Sequence, residues 1–517
     1  MLRDRAPALS RTPSHYPAGV KVPDHPGPRR LGTGGLLVAA VLLAMLPLVV
    51  RRVGDADYWW HIVTARWMVG HGAVPVHDLY TYTVARHVWT DHEYLSELLM
   101  YGLGRVGGQG LVSIGFGVIT WAGFLLILLR ISLRPTPRVV TAAALGLAVV
   151  AGVSVWGPRP QMITFALVCL ELYVLERFLS GGRRVLYVLP PLVTVWANFH
   201  GGFVIAFLFL AVTLLVEGTR FVIHRGDLPT RGRVLRLLAV SGACAVGGLL
   251  NPHGAAIYTY SWRTQTSAVQ QSFISEWQSP DFHALQMRGL EAMLLLIIGL
   301  AIRQLRVRPF GLLCAVVGLV LALQSVRHIA IFVAAATPQL AWAWGPSVAS
   351  LGSTRAAQVL RLRLRSRAAV NSALVATVLV GAGSLATVRV LLAHQAASTV
   401  ANYPSGAAGY LQAHPALGSR MFSDYAWGGY MIYRFYPQPN RRVFLFGEAD
   451  LMGDAIMNEY VDVVGLHSNW LDVLNSHGVD YVVFEPNTPL ATALATQQDW
   501  HLVYSDHVAL IYVRHKT

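Results

Sequence analysis

Charged residues are scarce in this chain of 517 residues, since Asp, Glu, Lys and Arg together make up only 13% of it. Soluble domains carry about a quarter of such residues, whereas hydrophobic residues make up 54% here. Lysine is almost absent, because only Lys21 and Lys516 occur, so the net charge of +15 rests on arginine. This composition excludes an ordinary soluble domain and indicates a polytopic membrane protein.

Cysteine is scarce as well. The three cysteines, Cys169, Cys244 and Cys314, all lie inside apolar runs. That placement excludes a disulfide framework and a CxxC metal site. The positive charge does not predict a nucleic-acid partner either, because most arginines lie in short segments between apolar runs.

Apolar segments recur along the chain, and a membrane-spanning helix needs roughly twenty such residues. The predicted fold class is therefore a polytopic α-helical membrane protein with about 11 transmembrane helices and a C-terminal extracytoplasmic α/β domain. The candidate segments lie near 32–50, 111–129, 139–156, 161–179, 185–198, 202–223, 234–250, 289–305, 310–324, 329–346 and 369–392.

Arginines occur in alternate connections between these segments, on the same side as the basic N-terminus. The positive-inside rule makes that side cytoplasmic. We therefore predict a multi-pass protein of the plasma (inner) membrane with a cytoplasmic N-terminus. Residues 1–30 read as a disordered cytoplasmic tail, and the first apolar segment reads as a retained helix rather than a cleaved signal.

Two large segments fall on the predicted outer side. Within the transmembrane domain, residues 31–392, the first is the loop 51–110; the second is a C-terminal domain, residues 393–517. In that domain RMFSD, RVFLFG and DYVVFE predict parallel strands separated by helices, and WHLVYSD with HVALIYVR predicts a closing hairpin. The glycines of AWGGYMIYRF predict a close backbone approach. We expect the domain to cover the membrane site or bind an acceptor without chemistry of its own.

The motif GDADYWWHI directly follows the first apolar segment. Asp55 and Asp57 point to opposite faces of an extended segment and diverge by about 200° on a helical turn, so they need not act as a pair. A structural interpretation makes Asp57 the cap of the next helix, with His61 on its face and tryptophans at the membrane interface. The alternative is that one aspartate performs chemistry while the other caps.

Further acidic residues follow in HDLYTYTVARHVWTDHEYLSELL, which contains Asp78, Asp91, His92, Glu93 and Glu97. A structural interpretation lets Thr90 cap a helix with Glu93 at its third position. A carboxylate-rich loop between membrane helices is costly, however, unless it faces a polar cavity. The second interpretation, in which this loop faces a polar cavity, favours a functional site.

Short outer turns add cations and histidines. Arg159 in GPRPQ and Arg327 in SVRH lie on the side that should be poor in cations. Each predicts either a fixed carboxylate partner or a bound phosphate.

Histidines in similar turns are His200, His253 and His328. Each is either a hydrogen-bonded structural residue or, with His61 and His92, part of one outer cavity. No HxH or HExxH spacing supports a metal site. The cofactor is left unknown, with a divalent cation, Mg²⁺ or Mn²⁺, as the candidate.

These motifs and their layout resemble the GT-C superfamily of membrane glycosyltransferases, in which an acidic motif opens the first outer loop directly after the first helix. That superfamily also has many membrane helices and often a C-terminal outer domain. The run DADYWWHI, HDLYTYT and WTDHEYLSELL, with RPQ, NFHGG, NPHG and SVRH, is also similar to a group of bacterial membrane proteins described as glycosyltransferase-like.

The resemblance implies inverting transfer of a sugar from a polyprenyl-phosphate-linked donor to a glycan, lipid or protein acceptor at the outer face of the membrane. An aspartate of the first outer loop would be the general base. The implied catalytic residues are Asp55, Asp57, His92 and Glu93. The implied donor-phosphate ligands are Arg159, Arg327, His328, His200 and His253. The implied substrate-lining residues are Trp59, Trp60 and His61.

Two alternatives remain open on sequence alone. A transporter or flippase for a lipid-linked glycan would suit intramembrane charges, although the charges here cluster at the outer ends of the predicted helices. A non-catalytic scaffold of envelope assembly would be favoured if Asp55 and Asp57 were dispensable.

Overall fold

The structure is a computed structural model of the chain, and it describes residues 32–223, 228–302, 308–351, 358–359 and 363–515. The predicted tail, residues 1–30, lies outside this range. The α-helices are α1 Thr33–Ala44, α2 Leu46–Val49, α3 Tyr58–His71, α4 Tyr94–Ile131, α5 Arg138–Ala151, α6 Gln161–Leu179, α7 Leu189–Phe199, α8 Ile205–Ile223, α9 Leu228–Gly247, α10 Ala256–Thr266, α11 Ala268–Phe273, α12 Arg288–Ile302, α13 Pro309–Gln324, α14 Ile329–Leu351, α15 Arg367–Ala393, α16 Gln395–Asn402, α17 Ser405–Ala413, α18 Tyr425–Phe435, α19 Ala449–Val464, α20 Trp470–Ser476 and α21 Pro489–Ala495. Short 3₁₀ helices lie at Arg183–Val188, Gly201–Val204, Ser275–Trp277, Leu285–Met287, Val326–His328 and Pro415–Leu417.

Each predicted apolar segment lies in one helix or in two consecutive ones, as far as the described residues extend. Among those residues, three helices are long and apolar enough to cross a membrane: Tyr94–Ile131, Gly201–Ile223 and Arg367–Ala393. Shorter apolar helices lie at Thr33–Val49, Arg138–Ala151 and Pro309–Gln324. The helical fold is as predicted, and the figure of about 11 spans stays a prediction.

Helix α4 begins earlier than the sequence suggested. It starts at Tyr94, so the end of the predicted loop 51–110 is helical, and it passes through non-helical backbone at Gly107 and Gly108. Gly108 has φ +61°, which a residue without a Cβ adopts readily. The predicted cap at Thr90 was wrong, because the residue before the helix is Glu93 and its side chain makes no capping hydrogen bond.

The first and last apolar helices, α1 and α15, pack against each other. The side-chain amide of Gln395 donates to the carbonyl of Val53 and accepts from its N–H, both at 2.9 Å. One side chain thus satisfies two buried backbone groups that no neighbouring strand reaches. This contact joins the start of the outer loop to the start of the C-terminal domain.

The C-terminal domain contains a five-stranded sheet in the order β2-β1-β3-β5-β4. The strands are β1 Arg420–Ser423, β2 Arg442–Val443, β3 Tyr481–Phe484, β4 Trp500–Ser505 and β5 Leu510–Arg514. Strand β1 pairs in parallel with β2 and β3, while β4 and β5 form an antiparallel hairpin. The three parallel strands and the hairpin were predicted, although β2 covers only the start of RVFLFG.

The outer loop extends this sheet. Thr81 forms a parallel bridge with Val443, and the Tyr82 N–H donates to the Val443 carbonyl at 3.3 Å. The Asp78 carboxylate holds the loop in shape by accepting from the Thr81 N–H at 3.0 Å and the Thr81 hydroxyl at 2.7 Å. Loop and C-terminal domain therefore form one packed unit.

Candidate active site

Glycines bring the C-terminal domain against the motif GDADYWW. A methyl group on Gly447 would overlap the Asp57 carboxylate, and one on Gly429 would lie 2.9 Å from the carbonyl oxygen of Ala56. Gly429 belongs to the segment AWGGYMIYRF, for which a close backbone approach was predicted, and that prediction is confirmed. The predicted membrane domain and the C-terminal domain thus share the wall of one site.

Asp57 directly precedes α3, yet its side chain makes no capping hydrogen bond. Asp57 thus occupies the N-cap position of the capping interpretation, but its carboxylate accepts from the Trp60 indole N–H at 3.0 Å instead of from the backbone. Its own backbone N–H donates to Asp55 Oδ1 at 3.1 Å. Burial, and after it the neighbouring Asp55 carboxylate, raises the pKa of Asp57 to about 7.

Asp55 is held by an arginine. Its Oδ2 lies 2.8 Å from Nε of Arg159, whose guanidinium also pairs with Glu276. The sequence left two interpretations of Arg159, a fixed carboxylate partner or a bound phosphate, and the structure shows the carboxylate partner. Its assignment to a donor phosphate stays a prediction.

Glu93 lies among three imidazoles. Its carboxylate oxygens are 3.5 Å from Nε2 of His61, 3.5 Å from Nε2 of His92 and 3.9 Å from Nε2 of His200. Glu97, fully buried on α4, accepts a hydrogen bond at 2.8 Å from Nδ1 of His61. Burial and then the nearby Asp91 carboxylate raise the pKa of Glu93 well above its usual range.

The tautomer of His200 follows from its neighbours. Its Nδ1 accepts from the backbone N–H of Gly202 at 3.0 Å, and the hydroxyl of Thr164 lies 2.9 Å away. Burial, then the charge of Arg327, lowers the pKa of His200 to about 3, so the ring is neutral. Its proton therefore sits on Nε2, which lies 3.9 Å from the Glu93 carboxylate and forms no hydrogen bond with it.

Spacing alone would let His92, Glu93 and His200 hold a metal ion, because one ligand atom from each lies within 4.8 Å of the others. The chemistry argues against Mg²⁺ or Mn²⁺ in this cluster. Two of the three ligands are nitrogens, whereas these hard cations prefer oxygen. The Nε2 of His200 also carries a proton in the arrangement described, so this cluster does not fit Mg²⁺ or Mn²⁺, and the divalent cation itself stays a prediction.

Two cavities adjoin at these residues. The acidic chamber is lined by Asp55, Asp57, Glu93, Glu276, Glu448 and Asp450, together with Trp60 and Tyr425. The apolar chamber is lined by Val204, Ile205, Ala330, Ile331, His200 and His328. Both are lined by the neck residues His92, Gln161, Tyr260, Thr264, Trp277 and Arg327.

Arg327 is the half-buried cation of the neck. Its guanidinium lies 4.4 Å from the centroid of the Trp277 ring. No carboxylate among the described residues lies within ion-pair distance of it, in contrast to Arg159. A cation that stacks on a ring and keeps its N–H groups unpaired is suited to an anion.

The remaining predicted histidines differ in position. His328 lines the apolar chamber, its Nδ1 has no hydrogen-bond partner, and burial lowers its pKa to about 4. His253 lines neither chamber, although its buried Nε2 also lacks a partner. His61 lies behind Glu93 and reaches neither chamber.

The two tryptophans also differ. Trp60 lines the acidic chamber and donates to Asp57. Trp59 does not line it, contrary to prediction, because its ring packs against Tyr403, Tyr430 and Tyr433 with centroids 4.8–5.4 Å apart. Trp59 therefore anchors the C-terminal domain.

Glu448 is the functional candidate that sequence reasoning missed. It is 5% exposed, lines the acidic chamber, and places Oε1 4.0 Å from Nδ1 of His92. A signal existed, since the acidic FGEAD follows the predicted strand RVFLFG. Ligands of open parallel sheets bind beyond the carboxyl ends of the strands.

Comparison with known proteins gives the fold. No protein-family model and no curated protein matches this chain. ArnT from Cupriavidus metallidurans in the apo state matches with a TM-score of 0.52 at 15% identity, over 92% of this chain and 96% of that one. The Archaeoglobus fulgidus oligosaccharyltransferase tethered with an acceptor peptide matches with a TM-score of 0.51 at 12% identity, over 93% of this chain and 74% of that one.

The fold resembles that of the GT-C glycosyltransferases. The likeness extends over most of the chain, so it includes the C-terminal domain as well as the helices. The chain's own apolar helices support a membrane location.

Proposed function

We propose that this protein transfers a sugar from a polyprenyl-phosphate-linked donor to an acceptor hydroxyl at the outer face of the plasma membrane, with inversion. The observation that carries the proposal is the junction of two unlike chambers at Arg327. The apolar chamber suits the lipid end of the donor. The unpaired guanidinium in the neck suits its phosphate, and the acidic chamber supplies a base.

The reaction balances with these groups. The Asp57 carboxylate takes the proton of the acceptor hydroxyl, whose oxygen attacks the anomeric carbon from the face opposite the phosphate. The bond from the anomeric carbon to the phosphate oxygen breaks, and its electron pair leaves with the lipid phosphate. Arg327 stabilises the charge that develops there.

Two features favour Asp57 over Asp55 as the base. Asp55 is committed to Arg159 at 2.8 Å, so its carboxylate is already engaged by a fixed cation. Asp57 has no cationic partner among the described residues, and its pKa of about 7 lies near the working pH, where a base is most effective. Asp55 and Arg159 then hold the backbone of Asp57 in place.

Neutral imidazoles complete the proposed phosphate site. The Nε2–H of His200 and the ring of His328 can hydrogen-bond to phosphate oxygens without adding charge. His92 and Glu93 lie between the phosphate and the base, where they orient the sugar. The partners are accordingly the lipid-linked donor, membrane lipids and an acceptor glycan, lipid or protein.

The proposed topology has a cytoplasmic N-terminus, with the loop 51–110 and the domain 393–517 outside. Its support is the arginine distribution together with the pairing of Thr81 with Val443. Since these residues belong to one sheet, the loop and the C-terminal domain lie on the same side of the membrane.

The test is transfer from a panel of polyprenyl-phosphate sugars by purified protein. We expect Asp57→Asn to lower the rate by about 10²–10⁴-fold, the usual contribution of a general base. Asp55→Asn, the matched control two residues away, should retain more activity. In detergent, both variants must have the same elution volume and the same melting temperature as the wild type. Donor binding without turnover in every variant would instead favour a transporter.

A further inference from the structure

We propose that Glu448, supplied by the C-terminal domain, is the acceptor-binding residue of this site, and that the acceptor is the hydroxyl-bearing ring of an uncharged glycan. This inference rests on the glycosyl transfer proposed above, because that reaction is what requires an acceptor. The inference goes beyond it by naming the residue that binds the second substrate and the chemical class of that substrate.

The first argument is the state of the Glu448 carboxylate. It is 95% removed from solvent, and no described residue donates a hydrogen bond to it. The nearest basic atom, Nδ1 of His92 at 4.0 Å, also lacks a hydrogen-bond partner. Buried polar groups without partners are costly. Both groups line the acidic chamber, so a ligand there would supply the missing donors and acceptors.

The second argument is position. Glu448 lines the acidic chamber but not the apolar chamber. Its chain neighbour Gly447 touches the Asp57 carboxylate. A hydroxyl group bound by Glu448 therefore lies beside the proposed base, while the donor phosphate lies at Arg327 in the neck. This arrangement separates the two substrates in the order that the reaction requires.

The third argument is charge. Six carboxylates line the acidic chamber, against two guanidinium groups. One of these, Arg159, is committed to Asp55 and Glu276, and the other lies in the neck. Burial raises the pKa of Asp57, Glu93 and Glu448, so these carboxyl groups offer hydrogen bonds, while those that stay ionised repel an anionic acceptor. An uncharged ligand that offers several O–H donors satisfies the carboxylates without that penalty.

The fourth argument is the aromatic lining. Trp60, Tyr260, Trp277 and Tyr425 face the same chamber as the carboxylates. A sugar ring presents apolar C–H faces and polar edges, so aromatic faces and carboxylates together match it. A hydrocarbon chain would leave the carboxylates unpaired and buried, which is costly.

The experiment measures binding to full-length protein in detergent, by calorimetry, without donor. The probes are neutral oligosaccharides and their counterparts in which one sugar is a uronic acid. We expect the neutral probes to bind at least about tenfold more tightly. Glu448→Gln should weaken them by about 10–100-fold, the range for a hydrogen bond to a charged group. Glu448→Asp, which keeps a carboxyl group, should restore part of the affinity.

The matched control is Asp472→Asn, an exposed carboxylate of the same domain, which should bind like the wild type. Equal affinity in Glu448→Gln and wild type, or tighter binding of the uronic-acid probes, would overturn the inference. Binding of Mg²⁺ that Glu448→Gln abolishes, without saccharide binding to the wild type, would overturn it too. Because no turnover is needed, saccharide binding without transfer would remove only the proposed enzyme activity. Transfer with an unchanged acceptor KM in Glu448→Gln would remove only this inference.

Discussion

Helices α4 and α6 hold buried charged residues at both of their ends, and the two ends differ in how the carboxylates are paired with arginines. At one end Glu176 pairs with Arg130 at 3.4 Å and with Arg134, whose guanidinium stacks 3.7 Å from the Trp342 ring centroid. At the other end Asp57, Glu93 and Glu448 line a chamber without arginine partners among the described residues, whereas Asp55 and Glu276 pair with Arg159 and Asp450 pairs with Arg263.

The difference separates structural charge from charge that faces a ligand. Glu217, paired with Arg220 and Arg233, repeats the first arrangement. A buried carboxylate with its counter-ions is fully compensated and has nothing left to bind. A buried carboxylate without one is a cost that the fold retains for another purpose.

The largest expected effect concerns the paired end. Glu176→Ala leaves Arg130 buried without a counter-ion, and removing one partner of a buried pair typically destabilises by about 3–5 kcal/mol. Thermal unfolding in detergent measures this loss. The folded fraction should keep its specific transfer activity, because the pair lies at the opposite end of α6 from the chamber.

The control for that experiment is Glu291→Gln. Glu291 pairs with Arg288 at 2.8 Å on a partly exposed surface, and such pairs contribute about 0–1 kcal/mol. If Glu176→Ala abolished transfer with unfolding unchanged, the two ends could not be divided into structural and functional charge.

The next effect concerns the unpaired end. Arg327→Gln should reduce transfer by about 10²–10³-fold, since it removes a cation aimed at a developing anion. Arg327→Lys should recover part of the rate, because it keeps the charge but not the planar fork of donors. Stability should change little in either variant. Normal transfer by Arg327→Gln would show that the donor phosphate binds elsewhere, with Arg159 the next residue to test.

The smallest expected effect is the pH dependence. Because the pKa of Asp57 is raised to about 7, the carboxylate is protonated below that pH and cannot accept a proton. Transfer should therefore fall by about tenfold for each unit of pH below 7. Initial rates of transfer, measured between about pH 5 and pH 8, test this dependence.

Asp91 must be separated from Asp57 in that profile, because burial raises its pKa to about 7 as well. Asp91 does not line either chamber. Asp91→Asn should thus retain the pH profile of the wild type. A pH profile that became flat in Asp91→Asn would show that Asp91, rather than Asp57, is the carboxylate that titrates.

Local patterns sufficed for the helices, because a run of apolar residues that must satisfy its own backbone groups forms a helix wherever it packs. They also located Asp57, which follows the first apolar segment directly. They failed at Trp59 and at Thr90, where several local arrangements satisfy the same sequence and tertiary packing selects one. Glu448 was missed for a different reason: FGEAD marks the end of a strand, but only contact with residues near the other end of the chain places Glu448 in the acidic chamber.

The contact between Gly447 and Asp57 also limits how such chains can be recombined. A chimera that joins the helices of one relative to the C-terminal domain of another would insert any side chain at position 447 into the Asp57 carboxylate. The segments FGEAD and GDADYWW must therefore be exchanged together. For protein engineering, the unit of transplantation is this pair of distant segments rather than either domain.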